Sequence, residues 1–153
     1  MIPPSESALK RFRFVKWLAI FMLIVAPVIY LIVAYSIPAR ELAKEPGTDL
    51  MFYGLLVIAI IEPVAYPLIE RFHLSQVRPR AHQAMMVEQL YVTLSIIKMA
   101  LIEAIYIYGL VAYLVTHAMD RMLYFYPIGI IWSVVYWPTR DRFERFLSRG
   151  ERL

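Results

Sequence analysis

The chain has 153 residues, of which 61% are hydrophobic and 18% charged, with a mean hydropathy of +0.60 and a formal net charge of +4 at pH 7. This composition is too apolar for an ordinary soluble domain and indicates an integral membrane protein. Because the sequence contains no cysteine, disulfides and thiolate metal sites are excluded. The positive residues are concentrated on one side of the predicted membrane spans. Membrane topology therefore explains the net charge, which does not indicate a nucleic-acid partner.

Four apolar stretches are candidates to cross a bilayer, whose core of about 30 Å takes about 20 residues of helix. Residues 17–37 and 50–69 have the required length. Residues 90–116 are numerous enough for the helix to tilt or to emerge from the lipid. Residues 122–137 are few, and Pro138 marks their end. The sequence therefore predicts an all-α fold, a single membrane domain built as a bundle of four transmembrane helices.

Lysine and arginine are concentrated on one side of these spans, which is the pattern of cytoplasmic segments. They precede the first span, occupy the loop between the second and third, and fill the tail 139–153, whereas the other side has only Arg40, Lys44 and Arg121. We therefore predict a multi-pass protein of the cell membrane with both termini cytoplasmic. The basic tail is interpreted as a topology-setting interfacial segment; the alternative is a helix that docks a partner or anionic lipid.

Three ionisable residues interrupt the spans: Glu62 in the second, and Lys98 and Glu103 in the third. A charge at mid-span costs about 2.5–3.5 kcal/mol on insertion scales, so it needs a protein-facing site, water or a neutralising proton. At about 1.5 Å per residue from the span midpoints, both glutamates lie near the midplane and Lys98 lies about 7 Å nearer the cytoplasm. We therefore expect one polar layer between the second and third spans.

The five positions between Lys98 and Glu103 turn a helix by about 140°, so the two side chains should face different neighbours. Two packings remain open. Either Lys98 pairs with Glu62 while Glu103 stays protonated, or both carboxylates share a proton near the lysine. A structural interpretation also remains, in which an interhelical Glu–Lys pair only fixes helix register.

Two tyrosines are expected to support these groups. Tyr106 lies one turn after Glu103, where its hydroxyl would hydrogen-bond the carboxyl group, and Tyr66 lies one turn after Glu62. Interfacial belts or packing account for a further set: Tyr30, Tyr35, Tyr53, Tyr91, Tyr124, Tyr126 and Tyr136.

Glu62 is followed by two prolines, Pro63 and Pro67. Each proline removes a backbone donor and frees a carbonyl one turn earlier, so this segment should kink and expose oxygen atoms beside a carboxylate. Broken helices with carboxylates form cation and proton sites in membrane proteins.

Enzymatic motifs are absent from the sequence. His73, His82 and His117 lie at span ends or in loops without metal-ligand spacing. No Gly-rich phosphate loop and no nucleophile elbow occur. We predict no catalytic residue, no bound metal and no cofactor.

The string ALIEAIYIYGLVAYLV, residues 100–115, resembles the carboxylate-bearing second helix of the ATP synthase c subunit, the proteolipid of the rotary ring, where a similar ALIE-x-x-x-x-YG-x-V-x-x-L string occurs. The resemblance places the family's ion-carrying carboxylate at Glu103 and implies a reversible proton or sodium site there. It covers this one helix. The rest of the chain does not match, because that family has two helices and a run of alternating glycines.

The predicted function is the handling of protons or cations through the intramembrane carboxylates Glu103 and Glu62, with Lys98 as their polar partner. The lipid bilayer is the expected environment, and subunits of a membrane complex or further copies of the chain are the expected partners. The alternative is a non-transporting membrane scaffold or assembly factor whose internal charges are structural.

Overall fold

The computed structural model describes residues 6–37, 47–75 and 83–150, and every regular element among them is helical. The helices are α1 (Glu6–Ile20), α2 (Ala26–Ser36), α3 (Thr48–Ser75), α4 (Gln83–Thr116), α5 (Met119–Leu123), α6 (Phe125–Val135) and α7 (Arg140–Gly150), and a π-helical turn, Phe21–Val25, joins α1 to α2. The prediction of an all-α fold is confirmed for this part of the chain.

Three helical segments are long and apolar enough to cross a membrane: Glu6–Ser36, Thr48–His73 and Met86–Thr116. They contain most of the first three predicted spans. The helices run beyond those spans because polar residues continue a helix after the apolar stretch ends. The helices in the fourth predicted span, α5 and α6, are each too short to cross a bilayer. A fourth span therefore stays a prediction.

The π-helical turn in the first segment is explained by a proline. The N–H of Ala26 donates to the carbonyl of Phe21, five residues earlier, and Pro27 directly follows without an N–H of its own. A π-turn beside a missing donor keeps the helix continuous across the point where an α-helical bond cannot form.

Pro63 and Pro67 lie inside α3, which remains helical from Thr48 to Ser75. The carbonyl of Pro63 is the one that Pro67 would bind if it had an N–H. The hydroxyl of Tyr136, the residue that follows α6, donates to this carbonyl at 3.1 Å. The freed oxygen predicted beside Glu62 is therefore used to attach α6 to α3.

The central element is α4, which contacts all the other helices and the π-turn. Its fully buried side chains include Leu94, Met99, Ile102, Ile105 and Tyr106. A two-residue connection, His117 and Ala118, joins α4 to α5. The short connection folds α5 and α6 back against α4.

The described part of the basic tail forms α7, and its apolar face is covered within the chain. Phe143 is fully buried and stacks on Phe12 of α1 with ring centroids 5.3 Å apart. Tyr91 of α4 contacts Phe143 at 4.7 Å and Phe146 at 5.4 Å. The aromatic residues of the tail therefore hold α7 on α1 and α4, where sequence analysis had left them at a membrane interface.

Candidate functional site

Glu103 lies half-buried on the side of α4 that faces α2. The hydroxyl of Tyr30 donates a 2.7 Å hydrogen bond to Glu103 Oε1. Sequence analysis assigned Tyr30 to an interfacial belt. Its position near the middle of the first span is the signal that could have identified it, since belt aromatics lie at span ends.

The structure corrects the predicted role of Tyr106. Its hydroxyl is 3.3 Å from Ser133 Oγ on α6 and is not bound to Glu103. The ring of Tyr106 occupies the space above Gly129, where an added Cβ atom would lie 2.4 Å from the ring. Glu103 and Tyr106 are only about 60° apart around the helix, and the difference in partner arises because the longer Tyr106 side chain extends against α6.

Glu62 is held in the same way as Glu103. It lies half-buried on α3, and the hydroxyl of Tyr108 on α4 donates to Glu62 Oε2 at 2.9 Å. Glu103 and Tyr108 are five positions apart on α4 and face different helices. The two carboxylates therefore have separate partners, which argues against the packing in which they share one proton.

Lys98 is also separate from Glu62. Its ammonium group lies 5.3 Å from the ring centroid of Tyr66 and 5.7 Å from that of Tyr136. Lys98 has no ion pair within 4.0 Å in the described residues, so the predicted Lys98–Glu62 pair is not formed. The reason is axial offset, since Glu62 binds Tyr108, about 15 Å farther along α4 than Lys98.

The ammonium group of Lys98 is stabilised by aromatic faces and a more distant carboxylate. Cation–π contacts supply about 2 kcal/mol when they are desolvated. Two charges act on Lys98 from farther away. The carboxylate of Glu70, on the next turn of α3 after Tyr66, attracts it, and Arg142 of α7 repels it. Tyr66, predicted to support Glu62, belongs to the Lys98 site.

The spacing argument for Lys98 and Glu103 is confirmed, since one faces α3 and α6 while the other faces α2. The single polar layer is corrected to three sites around α4. At the two carboxylate sites a tyrosine hydroxyl links neighbouring helices. Two other tyrosine hydroxyls donate to backbone carbonyls: Tyr126 to Pro27 at 2.8 Å and Tyr113 to Ile37 at 2.7 Å.

Sequence analysis missed this use of tyrosine. A tyrosine placed away from the span ends must find a partner for its hydroxyl, and in an apolar helix the available acceptors are carboxylates and backbone carbonyls of neighbouring helices.

The chemistry open to these sites is limited to single carboxylates. Among residues 6–37, 47–75 and 83–150, no group of three or more His, Cys, Asp or Glu could hold a metal ion. Each glutamate has one oxygen bound by tyrosine, and its second oxygen has no hydrogen-bond partner among these residues. That oxygen can take up a proton or contact a monovalent cation.

Comparison with known proteins adds no relative. No family model, curated protein or solved structure matches the chain. The arrangement is therefore interpreted from its own geometry, in which a central helix carries one carboxylate toward α2 and receives another from α3.

Proposed function

We propose that this chain is a four-span membrane protein that handles protons or cations, with Glu103 as the principal site and Glu62 as the second. The observation that carries the proposal is the 2.7 Å bond from Tyr30 to a half-buried carboxylate on an apolar helix long enough to cross a membrane. A carboxylate at this depth is costly as a bare anion, and its retention favours uptake of a proton or cation.

The Tyr30 bond is compatible with both protonation states of Glu103. An ionised carboxylate accepts hydrogen bonds at both oxygens, and a protonated one keeps a carbonyl oxygen that still accepts. Tyr30 therefore holds Oε1 while Oε2 gains or loses the proton. The carboxyl group changes charge without losing its orientation, as a reversible carrier requires.

Two further features support the proposal. Residues 100–115 resemble the ion-carrying helix of the ATP synthase c subunit, and the carboxylate of that string falls on Glu103. We also propose that α5 and α6 together form the fourth span and that both termini are cytoplasmic, as the lysine and arginine distribution indicates. A half-buried Glu103 would exchange its ion with a second membrane subunit or another copy of the chain.

The test is proton flux in liposomes that contain the purified chain and an internal pH dye. We expect flux driven by a pH gradient, and we expect Glu103→Gln to abolish it, because glutamine still accepts the Tyr30 hydrogen bond but cannot carry a proton. Glu62→Gln should reduce the flux. The matched control is Glu144→Gln, a change of an exposed pair with Arg140 outside the predicted spans, which should leave flux intact.

A specific observation favours the alternative of a non-transporting scaffold: both carboxylates are already tied to tyrosines of neighbouring helices, as structural links would be. The scaffold predicts no flux above that of empty liposomes. It also predicts that Glu103→Gln retains the melting temperature, because the hydrogen bond survives, while Glu103→Leu lowers it. Flux that survives Glu103→Gln and Glu62→Gln would contradict the transport proposal.

A further inference from the structure

A cavity of about 600 Å³ opens between α1 and the first turns of α4. The lining residues combine two cations, two polar side chains and two apolar ones: Lys10, Arg11, Phe14, Gln89, Val92 and Thr93. The cavity is open to the surface of the helices and not enclosed. None of the three intramembrane charges lines it, so it is distinct from the carboxylate sites.

Arg11 lines this cavity and is only partly neutralised by the chain. Its Nε lies 3.6 Å from Glu88 Oε2, and its Nη1 is buried without a hydrogen-bond partner among the described residues. A guanidinium presents five N–H donors in a fixed fork that suits phosphate oxygens. The buried Nη1 is closed to the cavity, so an anion there would contact the exposed part of the Arg11 side chain, which is 29% exposed.

The second cation, Lys10, is held only weakly by the chain. Its Nζ lies 3.0 Å from Glu6 Oε1, and both side chains are largely exposed. Exposed pairs of this kind contribute about 0–1 kcal/mol, so an incoming phosphate can compete for the ammonium group. Gln89 and Thr93 add an amide and a hydroxyl donor from α4.

The position of the cavity indicates where its ligand comes from. Phe14 and Trp17 follow Lys10 and Arg11 on α1 and are 54% and 71% exposed, at the start of the first apolar stretch. Charged residues at one end and exposed aromatic residues at the other are typical of the boundary between headgroups and acyl chains. Phe14 and Val92 provide an apolar wall below the cations.

We propose that this cavity binds the phosphate-bearing headgroup of an anionic phospholipid. Lys10 and Arg11 contact the phosphate, Gln89 and Thr93 donate hydrogen bonds to the headgroup oxygens, and an acyl chain follows Phe14 into the bilayer. Basic pockets at the membrane face between helices bind anionic headgroups by this chemistry.

The experiment is a titration of the purified chain, in neutral detergent, with phosphatidylglycerol, phosphatidylcholine or inorganic phosphate, followed by native mass spectrometry. We expect phosphatidylglycerol to bind at least tenfold more tightly than phosphatidylcholine. Lys10→Gln should raise the dissociation constant for phosphatidylglycerol about fivefold, since one cation near the membrane surface contributes about 1 kcal/mol.

Two control variants isolate the cavity. Lys16→Gln makes the same charge change at an exposed site of the same helix outside the cavity, and it should alter the dissociation constant less than twofold. Glu6→Gln breaks the pair with Lys10 without removing a cation, and it should leave binding equal or tighter. Because both variants are at exposed positions, neither should unfold the chain.

Three results would overturn the proposal. Equal weakening by Lys10→Gln and Lys16→Gln would mean that the basic segment attracts lipid without a site. Equal affinity for phosphatidylglycerol and phosphatidylcholine would exclude selection of an anionic headgroup. Inorganic phosphate that displaces phosphatidylglycerol at similar concentration would identify the ligand as a free anion.

Discussion

At the scale of single residues, tyrosine hydroxyls hold the intramembrane carboxylates. Tyr30 binds Glu103 and Tyr108 binds Glu62, each from a neighbouring helix. A hydroxyl donor orients a carboxyl group without supplying a permanent counter-charge, whereas a lysine would favour the ionised form. Glu103 is therefore oriented by a neutral donor, as the proposed function requires.

Loss of the Tyr30 hydroxyl tests this link. We expect Tyr30→Phe to lower the free energy of unfolding by about 1 kcal/mol, the scale of an interhelical hydrogen bond in a membrane protein. Unfolding in a detergent titration followed by circular dichroism would measure it. Tyr35→Phe is the matched control, because Tyr35 lies on the same helix and is 72% exposed. An equal effect of the two changes would show that the hydrogen bond does not stabilise the fold.

The charged residues of the site could be found from sequence, but their partners could not. Glu62, Lys98 and Glu103 stand out because charge inside an apolar stretch is costly. Partners depend on the rotation and axial offset of packed helices, and span midpoints do not fix either. The predicted Lys98–Glu62 pair was therefore wrong, because the two residues lie at different heights along α4. The predicted angle between Lys98 and Glu103 was confirmed, because it depends on the geometry of one helix alone.

At the scale of elements, α6 is attached to α4 through a glycine. The ring of Tyr106 lies directly against Gly129, and the ring itself is 1% exposed. No side chain larger than hydrogen fits at position 129 unless this ring moves. The close approach also brings the Tyr106 hydroxyl to Ser133, one turn later on α6.

Substitution of this glycine should separate the two helices. We expect Gly129→Ala to lower the free energy of unfolding by about 1–3 kcal/mol, because the new methyl group overlaps a buried ring that cannot move freely. Gly54→Ala is the control on α3, where an added Cβ meets no atom within 4 Å. It should leave stability unchanged or slightly raised. Equal melting temperatures for the two variants would contradict the packing described for α4 and α6.

Helices were predictable from the apolar stretches, but their ends and interruptions were not. The π-turn before Pro27 closes with a bond inside its own helix, and α3 stays continuous through Pro63 and Pro67. The Pro63 carbonyl, which Pro67 leaves free, accepts a hydrogen bond from Tyr136, a residue distant in the sequence. A proline in the sequence predicts that a backbone carbonyl loses its N–H donor. It does not predict which distant side chain will bind that carbonyl instead.

At the scale of the whole molecule, the fold gathers its helices around α4 and places α7 against α1 and α4. Aromatic contacts between Phe12, Tyr91 and Phe143 join the first described helix to the last. The start of α1 and the helix α7 therefore lie next to the start of α4. This arrangement supports the proposal of an even number of spans, because three spans would place the termini on opposite sides of a bilayer.

Cysteine labelling tests this topology directly, since the natural chain has no cysteine. We expect an impermeant maleimide to label Lys44→Cys from outside intact cells. Ser5→Cys and Arg145→Cys should react only after the membrane is opened. Labelling of one terminus from each side would instead indicate three spans, with α5 and α6 outside the bilayer.

The central claim is that Glu103 takes up and releases a proton within the membrane. Infrared difference spectroscopy of the reconstituted chain, recorded as the pH is raised, detects the carbonyl stretch of protonated carboxyl groups. We predict a band that disappears with rising pH in the natural chain and that is missing from Glu103→Gln. A spectrum of Glu103→Gln that keeps the same pH-dependent band would contradict the account.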